Sequence, residues 1–270
     1  MKRKTKMEKF HFTSPPFTRE IRIDHRLNLP LLEAEVTALR TVIEARQSAA
    51  IVAPAGSGKT VILRALKESL PAARYSVYYF KLSDLSARDM CRQVAQALGP
   101  ESRGQYPSLV RALEERFRAG YDEQALRPVL IFDDAQDMRP DAIRLVRLLT
   151  NFEMDSRLVV SIILAGQLTL KQRLLAPDLE DVRQRLIHCA ELRLLSREDT
   201  FTYLDHRTKI AGLVLSPFTD GAKEALFEIT RGNMRALDKL GLACLKKVAQ
   251  VSRTKVEAAD VAIVRGEQWM

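Results

Sequence analysis

From residue 31 to 47 the apolar positions Leu32, Val36, Leu39, Val42 and Ile43 recur every three or four residues, the period of a helix with one buried face. Short continuous apolar runs then alternate with further helical stretches. Residues 49–52 predict a strand, 59–70 a helix stopped by Pro71, and 75–81 (YSVYYFK) a strand rich in β-branched and aromatic side chains. Residues 86–98 and 107–119 predict helices joined by the polar stretch GPESRGQY. The run 128–133 (PVLIFD) predicts a strand ending in acids, 140–151 a helix, and 158–165 (LVVSIILA) another strand, with a last core strand after VRQRL, residues 182–186. Strands that are apolar at every position belong to parallel sheets covered on both faces. Their alternation with helices predicts an α/β fold, a parallel sheet sandwiched by helices.

Past about Leu195 only helical periodicity remains. Ser196 and Asp199 have the spacing of a capping box, with Asp in place of the usual Glu. Helices are expected at 197–211, 219–230, 233–251 and 256–264, and the third carries Leu237, Leu240, Cys244, Leu245, Val248 and Val251 on one stripe. This predicts a small all-helical C-terminal domain. At the other end, residues 10–23 (FHFTSPPFTREIRI) contain Pro15 and Pro16, which forbid a helix and predict an extended segment across a domain surface. Residues 1–9 read as a basic tail, with Lys2, Arg3, Lys4, Lys6 and Lys9 against Glu8.

Composition narrows the class without fixing it. The 270 residues are 46% hydrophobic and 29% charged, a globular profile with a net charge of +9, which permits a polyanionic partner. Cys91, Cys189 and Cys244 are far apart and form no C-x-x-C pair, so three buried thiols in a reducing compartment are expected rather than a disulfide framework or a zinc site. The N-terminus MKRKTKMEKF lacks the apolar run of a secretory signal, and no apolar stretch approaches the roughly 20 residues of a membrane span. A cytoplasmic protein is expected.

The candidate chemistry is phosphate binding. APAGSGKT, Ala53 to Thr60, nearly matches G-x-x-x-x-G-K-[ST] between a strand and a helix, with Gly58-Lys59-Thr60 in place and Ala53 at the first glycine. Ala is the smallest replacement there, and Gly56 and Gly58 remain where the backbone must approach phosphate. Pro54, Ala55, Gly56, Ser57, Gly58, Lys59, Thr60 and Val61 are the expected nucleotide cradle, with Lys59 on the β- and γ-phosphates and Thr60 on Mg²⁺. VLIFDD supplies the second half: Asp133 for Mg²⁺ and Asp134 to orient the attacking water. Glutamate is usual at the second acid, so the shorter Asp134 predicts slow hydrolysis. RGNMRAL places Arg235 at a helix start, where it is expected to reach the γ-phosphate. In VRQRL, Arg183 or Arg185 is the candidate arginine finger toward a neighbouring subunit.

With these motifs in this order, residues 12–250 resemble the AAA+ ATPases. APAGSGKT is similar to Walker A, LIFDDAQ to Walker B, and GNMR to the sensor-2 motif, while LAGQ puts Gln167 at the sensor-1 position. SPPF, DDAQDMRPDAIRLVRLLTNFE and IILAGQLTLKQRLLAPDLEDVRQRL resemble the ExeA/GspA-like branch. The resemblance implies ATP and Mg²⁺, and an organisation of 1–30 as tail and linker, 31–195 as the AAA+ nucleotide-binding core and 196–270 as the helical lid. One kind of member of that branch is a secretion-associated ATPase with a transmembrane segment and a peptidoglycan-binding domain. The other is the transposon-encoded target selector of the TnsC/TniB/Mu B type. Ending at Met270, basic and without a membrane segment, the chain looks most like the second.

That likeness implies three partners: duplex DNA, a cognate transposase and further copies of the chain in a ring or helical filament, with no membrane. Other DNA-encircling AAA+ proteins turn the region after the second strand inward, which implies Lys81, Arg88, Arg92 and Arg103 as DNA-facing residues. The alternative is a GspA-like interaction ATPase working with a secretion or other protein partner.

Overall fold

A computed structural model describes residues 10–18, 20–81, 84, 86–99, 105–122, 126–150 and 158–268. The basic tail at 1–9 and Arg103 lie outside the described residues. The chain divides into two compact units, Pro30–Pro54 with Ile62–Leu192, and Met1–Leu29 with Ala55–Val61 and Arg193–Met270.

The first unit is a parallel sheet flanked by helices, the α/β sandwich expected from the sequence. Helix α1 (Pro30–Glu44) precedes β1 (Ser48–Val52), and α2 (Lys59–Ser69) leads to β2 (Tyr75–Lys81). Helices α3 (Ala87–Leu98) and α4 (Tyr106–Asp122) follow, then β3 (Arg127–Asp133), α5 (Pro140–Thr150) and β4 (Ser161–Gly166). Two short helices, α6 (Leu168–Leu174) and α7 (Glu180–Arg183), lead into β5 (Leu186–Glu191). The strand order is β2-β3-β4-β1-β5 with every neighbouring pair parallel, so all five carboxyl ends share one edge.

Local chemistry explains the boundaries. Ser86 caps α3 by accepting the Asp89 N–H at 3.2 Å. β4 starts three residues later than its apolar run, although Val159 and Val160 are buried. Pairing with β3 begins at Val129 against Ser161; one step further back, Val160 would face Pro128, which has no N–H for the ladder. Arg46 Nη1 instead donates to the Leu158 carbonyl at 3.3 Å. The core between sheet and helices is apolar, with Phe80 stacked on Phe132 at 5.3 Å and Leu109, Leu113, Leu130, Ile162 and Leu164 almost fully buried.

The expectation of three buried thiols is corrected. Cys91 and Cys244 are buried, but Cys189 is exposed. It lies on β5, an edge strand, where Ile187, Cys189 and Glu191 alternate toward solvent.

The second unit contains α8 (Arg197–Lys209), α9 (Asp220–Thr230), α10 (Met234–Gln250) and α11 (Ala258–Gln268). The Ser196–Asp199 box forms in both directions: Ser196 Oγ accepts the Asp199 N–H at 3.0 Å, and Asp199 accepts the Ser196 N–H at 3.4 Å. The shorter Asp therefore closes the box. The N-terminal segment packs against these helices, but it turns instead of running straight. His11 (φ 53°) and Phe17 (φ 56°) take left-handed conformations that reverse the chain beside the rigid prolines. Phe17 meets Phe218 edge-on at 6.0 Å and lies over Gly241, where a Cβ would sit only 3.1 Å from its ring.

Arg207 fastens that segment. It is 1% exposed, donates from Nη2 to the Thr18 carbonyl at 2.6 Å, and pairs through Nε with Asp238 at 3.2 Å. Tyr203 donates its hydroxyl to the same Asp238 oxygen at 2.8 Å.

Candidate nucleotide-binding site

The glycine-rich loop begins where β1 ends. Ala53, at the position of the missing glycine, is fully buried, and its N–H donates to the Gly166 carbonyl at 3.1 Å. It is not among the residues with positive φ, so nothing in its backbone calls for glycine. The left-handed positions are Gly56 (φ 82°) and Gly58 (φ 93°), the two glycines retained.

The loop Ala55–Val61 belongs to the same compact unit as the start of α10, which holds it. Asn233 Nδ2 donates to the Ala55 carbonyl at 2.7 Å, and the Met234 N–H donates to the Gly56 carbonyl at 3.0 Å. Asn233 Oδ1 meanwhile caps α10 by accepting the Ala236 N–H at 3.1 Å. The contact is close: a Cβ on Gly56 would stand 2.2 Å from Asn233 Oδ1. In a trans peptide the carbonyl and the next N–H point in opposite directions. With the Ala55 and Gly56 carbonyls turned toward α10, the N–H groups of Gly56 and Ser57 therefore face away from it. That is the polarity an anion requires. Lys59 opens α2 half-buried and Thr60 is exposed beside it, while Arg235 stands exposed in the first turn of α10.

In the sheet unit, the carboxyl end of β3 carries the paired acids. Asp133 is 4% exposed and held at both oxygens: Tyr79 donates its hydroxyl to Oδ2 at 2.7 Å, and the Asp134 N–H donates to Oδ1 at 2.8 Å. Burial, and then the bond to Asp133, push the Tyr79 phenol far above its ordinary value, so it stays a donor. Asp134 adopts φ 56°, a left-handed conformation that Asp tolerates better than most side chains. Its Oδ2 lies 4.0 Å from Lys81 Nζ. Beyond it, Gln136 Oε1 accepts the Gln167 N–H at 2.9 Å, and Arg173 donates to the Gln136 and Met138 carbonyls. A Cβ on Gly166 would lie 2.9 Å from both Gln136 Oε1 and Leu170 Cβ, so glycine leaves room for the two side chains. Gln167 thus meets this loop through its backbone, and its side chain is exposed.

The remaining sequence candidates are dispersed. Arg183 is exposed at the end of α7 with Glu180 at 3.4 Å, and Arg185 is half-buried before β5. Lys81 ends β2 with its side chain 74% exposed, Arg88 is exposed on α3, and Arg92 is offset by Asp89 at 3.1 Å. Tyr79, Gln136, Arg173 and Asn233 escaped sequence reasoning. Gln136 and Asn233 sat inside the motifs DDAQ and GNMR; Tyr79 needed the β2–β3 register, which aligns Lys81 with Asp133.

The donor chemistry fits a divalent cation. Asp133 offers hard carboxylate oxygens in the sheet unit, and Thr60, in the other unit, offers a hydroxyl oxygen. Among the described residues no group of three or more His, Cys, Asp or Glu is placed to hold a metal.

Residues 42–174 match the AAA domain family. The matched segment covers just under half of the chain. It runs from within α1 to the end of α6. The chain is 29% identical over 213 residues to General secretion pathway protein A of Aeromonas hydrophila, a match covering 78% of this chain and 39% of that protein. The chain therefore spans about two fifths of that relative's length. Its fold is similar to Cdc6p from Pyrobaculum aerophilum, with a TM-score of 0.72 at 19% identity over 93% of this chain and 70% of that one. It is also similar to the Aeropyrum pernix ORC1 protein in complex with DNA, with a TM-score of 0.64 at 16% identity over 90% of this chain and 66% of the other. At these identities the likeness is one of fold. Among the described residues, no helix is long and apolar enough to cross a membrane.

Proposed function

We propose that this protein is an ATP-dependent, largely sequence-non-specific DNA-binding ATPase that assembles on duplex DNA and regulates target selection by a transposase. The observation that carries the DNA-coupled part is Lys81 beside Asp134, at 4.0 Å. An exposed cation suited to a phosphate backbone thus touches the acid proposed to orient water. A DNA phosphate that engages Lys81 would weaken its pairing with Asp134. The net charge of +9 and the fold shared with a protein solved on DNA support the same reading.

In this reading ATP is the substrate. Gly56–Val61 present N–H groups to its phosphates, Lys59 neutralises them, and Asp134 accepts a hydrogen bond from the attacking water. Thr60 and Asp133 would hold Mg²⁺, which would offset phosphate charge. Arg235 reads the γ-phosphate from α10, and Arg183 or Arg185 of an adjacent copy offsets charge developing on it. Gln167 occupies the sensor-1 position. Lys81, Arg88, Arg92 and Arg103 face the DNA backbone, giving affinity without choice of sequence. The cellular location in this reading is the cytoplasm.

Electron microscopy with duplex DNA tests it: rings or filaments on DNA that require a non-hydrolysable ATP analogue are expected, and bare DNA under all conditions contradicts it. A second reading, an interaction ATPase with a secretion or other protein partner, is favoured by the 29% identity to General secretion pathway protein A. It predicts nucleotide-dependent capture of an envelope protein and hydrolysis that DNA does not stimulate.

A further inference from the structure

We propose that Tyr79 is a positioning residue for Asp133, fixing the carboxylate that takes the cation and thereby setting the Mg²⁺ requirement for nucleotide binding. The inference rests on the nucleotide-site reading above and deepens it. Two hydrogen bonds help to set the plane of the Asp133 carboxylate. One is local, the Asp134 N–H on Oδ1 at 2.8 Å; the other comes from the neighbouring strand, the Tyr79 hydroxyl on Oδ2 at 2.7 Å. The β2–β3 register produces the second anchor, because Tyr79 aligns with Ile131 and Lys81 with Asp133, so all four side chains share one face.

The phenol spans the remaining step along the strand to reach the acid. A carboxylate only 4% exposed has little water to orient it, so a phenol donating to Oδ2 governs which lone pairs face a cation. Partners that orient a metal ligand commonly change metal affinity by roughly 10- to 100-fold when removed. Tyr79 is itself 46% exposed on an edge strand, so loss of its hydroxyl leaves the apolar core intact.

The test is nucleotide affinity measured across a Mg²⁺ titration, read by a fluorescent ATP analogue and needing no turnover. For Tyr79→Phe the Mg²⁺ concentration at half effect should rise about tenfold, while affinity without Mg²⁺ stays at the wild-type value. Tyr79→Ala, which also removes the ring, should match Tyr79→Phe, and Tyr78→Phe should match the wild type. An unchanged Mg²⁺ midpoint in Tyr79→Phe overturns the role of Tyr79 and leaves the nucleotide site standing. So does a shift confined to Tyr79→Ala, which would assign the effect to the ring. Wild-type protein whose nucleotide binding ignores Mg²⁺ overturns the cation site itself and this inference with it.

Discussion

Asn233 donates its side-chain amide to the carbonyl of Ala55 at 2.7 Å, while its oxygen caps α10 at the Ala236 N–H, 3.1 Å away. One side chain thus starts a helix and fixes the shape of the glycine-rich loop. Asn233→Ala should lose about 1 kcal/mol of stability with the cap and lower nucleotide affinity about tenfold as the loop loosens. Asn233→Asp separates the two effects, since it keeps the capping oxygen but loses the donor to Ala55. For Asn233→Asp, calorimetry should show near wild-type melting together with weakened nucleotide binding. Equal nucleotide affinity in the wild type and both variants would remove Asn233 from the site.

Asp134→Asn should abolish hydrolysis and leave nucleotide binding intact. Asn tolerates the left-handed backbone at this position as well as Asp does, so the loop is retained while the acceptor for water is lost. A fall of roughly 10²- to 10⁴-fold in kcat is expected for removal of a group of this kind. Normal turnover in Asp134→Asn would assign water orientation elsewhere.

Arg207→Ala should destabilise the helical unit by about 3–5 kcal/mol, because it takes the buried cation from the half-buried Asp238 and the Nη2 donor from the Thr18 carbonyl. Proteolysis should then cut within residues 10–18, which Arg207 fastens in the wild type. A melting temperature unchanged within a degree or two would contradict this.

His206 gives the helical unit a dependence on acid pH. Burial foremost, then Arg207, Lys209 and His25, hold its pKa below the ordinary 6.5. The unfolded chain therefore binds the proton first as pH falls. The stability that depends on neutral His206 is complete above pH 6.5 and is lost as pH drops through the lowered folded value. Denaturant unfolding followed from neutral into acid pH should show this loss, and His206→Gln should flatten it. An identical pH profile in the variant would exclude His206 as the cause.

The sheet was legible because its strands are buried on both faces, which writes them as uninterrupted apolar runs such as PVLIFD. The phosphate loop was legible because Gly56 and Gly58 are the positions whose positive φ demands glycine, and the non-glycine Ala53 proves to need none. Other features depend on pairing or context that a single sequence does not carry. The late start of β4 follows from Pro128 on its neighbour, and the exposure of Cys189 from the edge position of β5. The turning N-terminal segment relies on left-handed His11 and Phe17, residue types that give no sign of that conformation. Helices α6 and α7 are too short to show a period. Tyr79 and Asn233 act through long-range contacts, one across strands and one across 178 residues of chain.

Nucleotide-gated DNA binding is the central claim, and duplex affinity measured by fluorescence anisotropy tests it most directly. Wild-type protein with a non-hydrolysable ATP analogue should bind duplexes of unrelated sequence alike, with affinity that falls steeply as salt rises. Without nucleotide, or in Lys59→Ala with the analogue, affinity should drop at least about tenfold, or roughly 1.4 kcal/mol. Equal DNA affinity with and without nucleotide, in the wild type and in Lys59→Ala, would contradict it.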